Sequence, residues 1–225
     1  DFSRTLYDDQ VYNHMMANYS DLGKDWIAHQ WNWMNGVYIA FKDHYKYMIV
    51  ISLIEKTLQF YDQMNIKYTY DQYYTKSYLQ IDRFSITELC DKLNLPKETV
   101  RRKVLELENL GVLKRQKKQI IIDHSAFNLV KPEIQIKSTS KYIHLVSELF
   151  NREKIYSKKL DQKQIENVLK KNFTMCWRWF YRMQIPFAIG YHGMFSDLTT
   201  FHIWGTVCMN QAFNFSKPDD DKNIQ

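Results

Sequence analysis

The sequence has little of the residues that break or cross-link a chain. Its 225 residues include 6 Gly, 4 Pro and 3 Cys. This composition excludes a collagen-like chain and a disulfide-stapled miniprotein. Cys90, Cys176 and Cys208 lie far apart, without the CxxC spacing of a zinc site or a redox pair, so we expect a reducing, cytoplasmic environment.

Long apolar runs are missing too. The most apolar stretch, Met48 to Ile54, is much shorter than the roughly 20 residues that cross a bilayer, so we expect no membrane partner. No signal peptide is recognised, and a start at Asp1 in place of Met is expected of a truncated form. A hydrophobic content of 45% is nevertheless ample for a packed core.

The sequence also lacks the residue groupings that are typical of enzyme sites. The 7 His are scattered, and neither an HExxH zinc motif nor a GxxxxGKS/T or GxGxxG phosphate loop occurs. We therefore predict no enzyme, no catalytic residues, no metal and no cofactor. His192, between Gly190 and Gly193, is the one place to look for a site, but a turn is the favoured interpretation.

Positive charge is concentrated in one part of the chain. The formal net charge is +6, and the segment from Lys97 to Lys118 holds eight basic against three acidic residues, a net of +5. A focused positive surface is what phosphate binding needs, because counterion release scales with the number of phosphates neutralised. A solvated helix face is the alternative interpretation.

Two consecutive helices are predicted around this segment. Ser85 and Glu88 fit an S-x-x-E capping box at the start of the first helix. Pro96 suits the start of the second helix, predicted over residues 97–109, because the N–H that proline lacks would be unpaired there anyway. Gly111 is where a left-handed turn after this helix is expected.

A basic hairpin follows the second helix. Residues 113–122 are predicted to form two short strands, joined by Gln116, Lys117 and Lys118. Helix, tight turn, helix, Gly and basic hairpin is the order of elements in a winged helix-turn-helix. The predicted fold class is therefore mainly α with a small β-hairpin, a winged helix-turn-helix flanked by helical N- and C-terminal segments.

The chain is predicted to divide into four consecutive parts. A helical N-terminal segment, 1–80, and a helical C-terminal segment, 132–215, flank the winged helix-turn-helix, 81–131. A polar tail, 216–225, ends the sequence. We expect the flanking segments to serve dimerisation, and a small-molecule effector of the C-terminal segment is an open alternative without support in the sequence.

In the N-terminal segment, apolar spacing predicts a long helix buried on more than one side. A first helix is expected to begin near Asp25 and to stop at Gly36, and the Tyr-rich stretch from Lys67 to Tyr78 is expected to be a connector. The long helix between them is expected to combine core packing with a dimer seam. Its apolar residues are Tyr47, Ile49, Ile51, Leu53, Ile54, Leu58, Phe60 and Tyr61.

In the C-terminal segment, Ser140 and Asp161 are predicted to cap helices, and Pro186 is predicted to break one. Trp177 and Tyr181 share a helix face, whereas Trp179 points elsewhere. Core packing is the favoured interpretation of these aromatic side chains, over a pocket for an apolar effector.

The second helix and the start of the hairpin carry a recognisable motif. The sequence from Leu95 to Leu105 is LPKETVRRKVL, and that from Leu110 to Arg115 is LGVLKR. Over about Phe84 to Asp123, the chain resembles the C-terminal DNA-binding domain of the cyclic-AMP receptor class of bacterial transcription regulators.

The resemblance implies roles for individual residues. Lys97, Glu98 and Arg102 would face base edges, with Arg102 bonding guanine at two atoms and Glu98 accepting from a cytosine amino group. Thr99 and Lys103 would contact phosphate. The family usually has Arg in place of Lys97, and its upstream β-roll sensor is missing here, so cyclic-nucleotide binding is not carried over.

We therefore expect a sequence-specific, double-stranded DNA-binding transcription regulator that acts as a homodimer. Helix 97–109 would enter the major groove, and the hairpin 113–122 would contact the backbone or the minor groove. The alternatives are a plasmid- or phage-type replication initiator, which needs a second reading unit, and a winged-helix protein-interaction adaptor. The predicted DNA-binding residues are Lys97, Glu98, Thr99, Arg101, Arg102, Lys103, Lys114, Arg115, Lys117 and Lys118.

Overall fold

A computed structural model describes residues 7–76, 78–81, 85–116, 119–123 and 131–214. Within them the chain is mainly helical with one small antiparallel sheet, which confirms the coarse fold class. None of the helices found there combines the length and apolarity needed to cross a membrane. The elements are α1 (Asp8–Ala17), α2 (Tyr19–Phe41), α3 (His44–Gln63), α4 (Tyr70–Tyr74), β1 (Tyr78–Ile81), α5 (Ile86–Leu93), α6 (Lys97–Asn109), β2 (Leu113–Gln116), β3 (Gln119–Asp123), α7 (Glu133–Arg152), α8 (Gln162–Lys171), α9 (Phe173–Phe195) and α10 (Leu198–Asn214).

The chain forms two compact units, each made of separate stretches of sequence. These units differ from the consecutive segments predicted from the sequence. The reason is packing across those segments, because α3 contacts α9 as well as α5, α6 and β1. Unit 1 consists of Asp1–Met34, Ile134–Glu166 and His202–Gln225, and unit 2 consists of Asn35–Glu133 and Asn167–Phe201.

Unit 1 has a core between α2 and α7. Leu22 and Phe150 are buried there. An aromatic group lies along the same two helices, where the ring centroid of Tyr142 is 5.3 Å from that of Trp26 and 5.7 Å from that of His29. Apolar and aromatic burial on the facing sides of α2 and α7 therefore stabilises this unit.

His29 is a buried histidine within this aromatic group. Only 3% of its surface is exposed, and its Nδ1 lies 3.0 Å from Ser138 Oγ and 3.3 Å from Gln135 Nε2. Burial lowers the pKa of His29 from 6.5 to about 4, against the opposing effect of the hydrogen bond with Ser138. The imidazole is therefore neutral in the folded protein at neutral pH.

We predict that His29 makes the folded protein sensitive to acid. Between pH 6.5 and 4 the unfolded chain takes up a proton at His29 that the folded chain does not, so the free energy of unfolding falls as the pH falls. The full difference is about 3 kcal/mol. Urea unfolding should depend less on pH in His29→Gln than in the wild type. Equal slopes in His29→Gln and wild type would contradict this prediction.

Helix α3 is the central element of unit 2. Its Ile49, Ile51 and Leu58 have no exposed surface, which confirms a long helix buried on more than one side. Most of the side chains assigned to a dimer seam are packed within one chain, and the seam itself stays a prediction. Phe60 also departs from the prediction, since 53% of it is exposed.

The sheet of unit 2 is antiparallel, with the strand order β1-β3-β2. Leu79 and Leu113 both pair with Ile122, and Ile81 pairs with Ile120. These five side chains are buried and form one apolar face. The sheet is thus anchored to the core through a single face.

Helix α4 and strand β1 were not predicted. The sequence predicts a connector from Lys67 to Tyr78 within a helical segment that reaches residue 80. Tyr70, Tyr73 and Tyr74 of α4 are buried. Four alternating residues, Tyr78 to Ile81, are too few to indicate a strand by themselves. Their pairing with β3, which lies far downstream, is what stabilises the strand.

Aromatic rings fill the core of unit 2 around α9. Trp177 stacks on Phe180 with ring centroids 4.6 Å apart and on Phe173 at 5.4 Å. Tyr181 is 1% exposed, whereas Trp179 is 57% exposed. The prediction that Trp177 and Tyr181 share a buried face is confirmed, and these stacked rings pack the core instead of lining a pocket.

Helix α2 extends beyond both of its predicted ends. It begins at Tyr19, before Asp25, and continues through Gly36 to Phe41. Gly36 does not take the positive φ of a helix-ending glycine, so the position imposes no break. The helix stops before Lys42, which adopts a left-handed φ of 51°.

Helix α9 continues through residues that were predicted to interrupt it. Pro186 lies inside the helix, and the stretch from Gly190 to Gly193 is helical, so the predicted break and turn are both wrong. Proline removes one backbone hydrogen bond. The burial of Ile185 and Ala188 on either side of it offsets that loss.

One of the two predicted caps in the C-terminal segment is confirmed. Asp161 Oδ1 accepts from the backbone N–H groups of Lys163 and Gln164 at 2.8 and 3.3 Å, at the start of α8. Ser140 is not a cap, because α7 already begins at Glu133. Its buried hydroxyl donates to the Lys137 carbonyl at 2.9 Å.

Candidate nucleic-acid interface

Helices α5 and α6 are joined by a tight turn, as predicted. The Ser85 hydroxyl accepts from the Glu88 N–H at 3.4 Å, and Asn94 takes a left-handed φ of 52° before Pro96 leads into α6. The Glu88 carboxylate does not complete the predicted capping box. It accepts two hydrogen bonds from Lys56 Nζ at 2.7 Å, because an ammonium group is a stronger donor than a backbone N–H.

Helix α6 has one buried face and one exposed face. It spans Lys97–Asn109, as the sequence predicts. Val100, Val104 and Leu107 are fully buried and pack it into unit 2. Because the remaining positions recur at helical spacing, the polar side chains share one outward surface. The exposed residues of this surface are Lys97, Glu98, Arg101, Arg102, Leu105 and Asn109, with Thr99 half-buried beside them.

The hairpin is attached to the end of α6. Gly111 takes the predicted left-handed φ of 71°. Glu108 then accepts from Arg115 of β2 at 2.7 Å from Nε and 2.5 Å from Nη2. This two-pronged bond raises the pKa of Arg115 above its usual range. Lys114, the other described basic residue of the hairpin, is exposed. The bond therefore fixes the base of the hairpin against α6.

Lys103 does not lie on the outward surface. Only 10% of its side chain is exposed, and its Nζ donates to Asp43 Oδ2 at 2.5 Å and to Glu106 Oε2 at 3.2 Å. Burial opposes the charged form, but these hydrogen bonds outweigh it and raise the pKa of Lys103. The sequence places Lys103 among the phosphate contacts, whereas the structure places it between α6 and α3.

The exposed arginines of α6 each have a carboxylate partner. Arg101 Nη1 lies 3.1 Å from Glu98 Oε1, and Arg102 Nη1 lies 3.3 Å from Glu106 Oε1. An exposed pair such as Arg101–Glu98 contributes roughly 0–1 kcal/mol, so a phosphate or a base can replace that carboxylate at little cost. Both carboxylates are already subtracted in the net charge of +5 counted along the sequence; the charge missing from this surface is that of the enclosed Lys103.

Two exposed residues on this surface were not singled out from the sequence. Leu105 is 52% exposed, and Asn109 follows it one turn later. An exposed apolar group can contact a thymine methyl, and an amide can bond adenine at two atoms. The signal for both was helical spacing: Leu105 lies four residues after Arg101 and Asn109 seven after Arg102, out of register with the buried Val100 and Val104.

A separate groove of unit 2, about 900 Å³ in volume, does not involve this surface. Residues of α3 and β1 contribute to its lining, among them Phe60 and Tyr78, together with Lys76. Lys76 Nζ lies 3.9 Å from the ring centroid of Tyr68. Among the described residues that line the groove, none belongs to α6 or the hairpin.

The described part of the chain holds no group of three or more His, Cys, Asp or Glu side chains suited to a metal ion.

Lys117 and Lys118, the remaining predicted contacts, lie outside the described residues. No protein-family model, curated protein or solved structure matches this chain. The functional interpretation of the α6 surface therefore depends on its own geometry and chemistry.

We predict that Lys103 stabilises the fold. Lys103→Gln removes the ammonium group that lies between two carboxylates, and should lower the free energy of unfolding by about 2 kcal/mol. Lys97→Gln, on the exposed face of the same helix, should change it by less than about 0.5 kcal/mol. Urea unfolding at pH 7 measures both variants. Equal effects of the two substitutions would show that Lys103 is an ordinary surface residue.

Proposed function

We propose that unit 2 contains a winged helix-turn-helix that binds double-stranded DNA sequence-specifically, as the reading element of a transcription regulator. The observation that carries this proposal is the outward surface of α6, where Arg101 and Arg102 are more than 60% exposed on a helix whose opposite face is buried. A helix presented in this way fits the major groove of DNA.

The hairpin supports the same proposal. Its β2 strand is bonded to α6 through Glu108 and Arg115, so the two elements would meet DNA in a defined relative orientation. Lys114 is exposed on β2, where it would contact a phosphate. The element order α5, turn, α6, β2, β3, with β1 pairing to β3, agrees with a winged helix-turn-helix.

The alternatives from the sequence gain less support. A replication initiator would need a second reading unit around α8 and α9. In the described residues after α9 the chain continues into α10 without a hairpin, and α9 packs on α3. A protein-interaction adaptor would use the same basic surface for an acidic partner. An adaptor would select no preferred duplex in the next experiment, whereas a DNA-reading protein would select one and lose affinity for it in Arg102→Ala.

We predict that Arg102→Ala weakens binding to the preferred duplex by about 10- to 100-fold, because a bidentate arginine–guanine contact contributes roughly 1–3 kcal/mol. The preferred sequence is first selected from a random duplex library, and affinity is then measured by fluorescence anisotropy. Lys171→Ala, an exposed residue at the end of α8 and outside this surface, is the control and should retain wild-type affinity. Absence of salt-dependent binding by the wild type to any duplex would rule out the proposed function.

Lys114 should behave differently from Arg102. We predict that Lys114→Ala weakens binding to preferred and random duplexes alike and lowers the slope of log affinity against log salt concentration by about 1. Binding titrations at salt concentrations from about 50 to 200 mM measure this change in slope. A selective loss for the preferred duplex would instead mean that Lys114 reads a base.

The homodimer expected from the sequence remains a proposal. Because most of the apolar side chains of α3 are buried, a second copy would need further residues outside them. Sedimentation velocity with and without the selected duplex tests this proposal, and a single chain per duplex would contradict it.

A further inference from the structure

Glu106 differs from the other two glutamates of α6. Glu98 and Glu108 each pair with one arginine. Glu106 contacts three cations, with Oε2 lying 2.9 Å from Lys46 Nζ and 3.2 Å from Lys103 Nζ, and Oε1 lying 3.3 Å from Arg102 Nη1. Two lysines, Lys46 and Lys103, thus anchor the carboxylate on the side of α3, and the exposed Arg102 binds its other oxygen.

The anchors connect Glu106 to the start of α3. Asp43 caps that helix by accepting from the N–H groups of Tyr45 and Lys46 at 2.9 and 3.1 Å, and its other oxygen accepts from Lys103 at 2.5 Å. Lys46, on the first turn of α3, binds Glu106 directly. The hydrogen bond from Lys46, with a further one from Lys103, lowers the pKa of Glu106, so the carboxylate is charged at neutral pH.

This arrangement bears on how Arg102 is held. A guanidinium bonded to a fixed carboxylate samples fewer rotamers, so less conformational entropy is lost when it meets a base. The carboxylate also repels phosphate, which disfavours use of Arg102 as a backbone contact. Arg101 has no comparable arrangement, because its partner Glu98 is 81% exposed and lies at the open end of the helix.

We propose that Glu106 is a specificity-determining positioning residue: anchored by Lys46 and Lys103, it directs Arg102 towards a base edge and away from the DNA backbone. This inference rests on the proposed function of α6. Base selection at the Arg102 position would then depend on a side chain that does not itself touch DNA. It would also depend on the start of α3, which supplies Lys46 and Asp43.

The test compares Glu106→Gln with wild type on the selected duplex, on duplexes altered at single base pairs, and on random duplex. We expect discrimination at the base pair read by Arg102 to fall by about tenfold. We expect affinity for random duplex to stay equal or to rise, because a carboxylate that repels phosphate has been removed. If Glu106 had a merely structural role, Glu106→Gln would lower both the base discrimination and the affinity for random duplex.

Asp91→Asn is the control, since it removes one exposed carboxylate from the neighbouring helix α5 and touches no described residue of the proposed surface. It should leave base discrimination unchanged. In a double-mutant cycle, Glu106→Gln should have no further effect on discrimination once Arg102 is replaced by Ala. Lys46→Gln is measured alongside, because it removes one of the two anchors of Glu106 without altering α6, and should reduce discrimination in the same direction.

The outcomes separate the two proposals. Wild type that binds no duplex in a salt-dependent way counts against the function proposed for α6. Wild type with a clear base preference that Glu106→Gln and Lys46→Gln leave unchanged overturns the role of Glu106 alone. An equal loss of discrimination in Asp91→Asn also overturns it, since the effect would then follow from charge and not from positioning.

Discussion

Unit 2 is organised around the burial of α3. Three polar groups at its start and along it, Asp43, Lys46 and Lys56, face the two following helices. Each of these groups binds a charged side chain of α5 or α6. The burial of α3 therefore decides where its few polar anchors lie, and the anchors decide how the two following helices are oriented.

Ion pairs divide the basic residues of α6 and β2 into groups with different environments. Lys103 is enclosed and its charge is used within the protein. Arg101 and Arg102 are both exposed; Arg101 is weakly held by the exposed Glu98, whereas Arg102 is paired with Glu106, which Lys46 and Lys103 anchor. Arg115 has an intermediate role, since it fixes the hairpin while 44% of its side chain remains exposed. A surface with this pattern presents selected donors and is not uniformly positive, which favours discrimination between ligands over general attraction.

Structural features that depend on short stretches of sequence were predicted correctly. Features inferred from a single residue, whose local preference competes with packing, were not. The bounds of α6, the left-handed Gly111 and the cap at Asp161 depend on neighbours within a few residues, so they are legible in the chain itself. Gly36, Pro186 and Ser140 are residues that usually end or begin helices. In each case the buried side chains of a longer helix outweigh the local preference, and burial depends on partners far away in the sequence.

The candidate surface shows the same division. Spacing and residue type alone were enough to establish a basic second helix followed by a hairpin, because helical periodicity is a property of consecutive residues. Only packing decided that Lys103 faces inward, that Leu105 faces outward, that Glu106 is anchored from behind, and that β1 completes the sheet. These features depend on α3 and β3 meeting residues far from them in the chain, and such meetings result from burial of apolar surface over the whole unit, which no short stretch of sequence specifies.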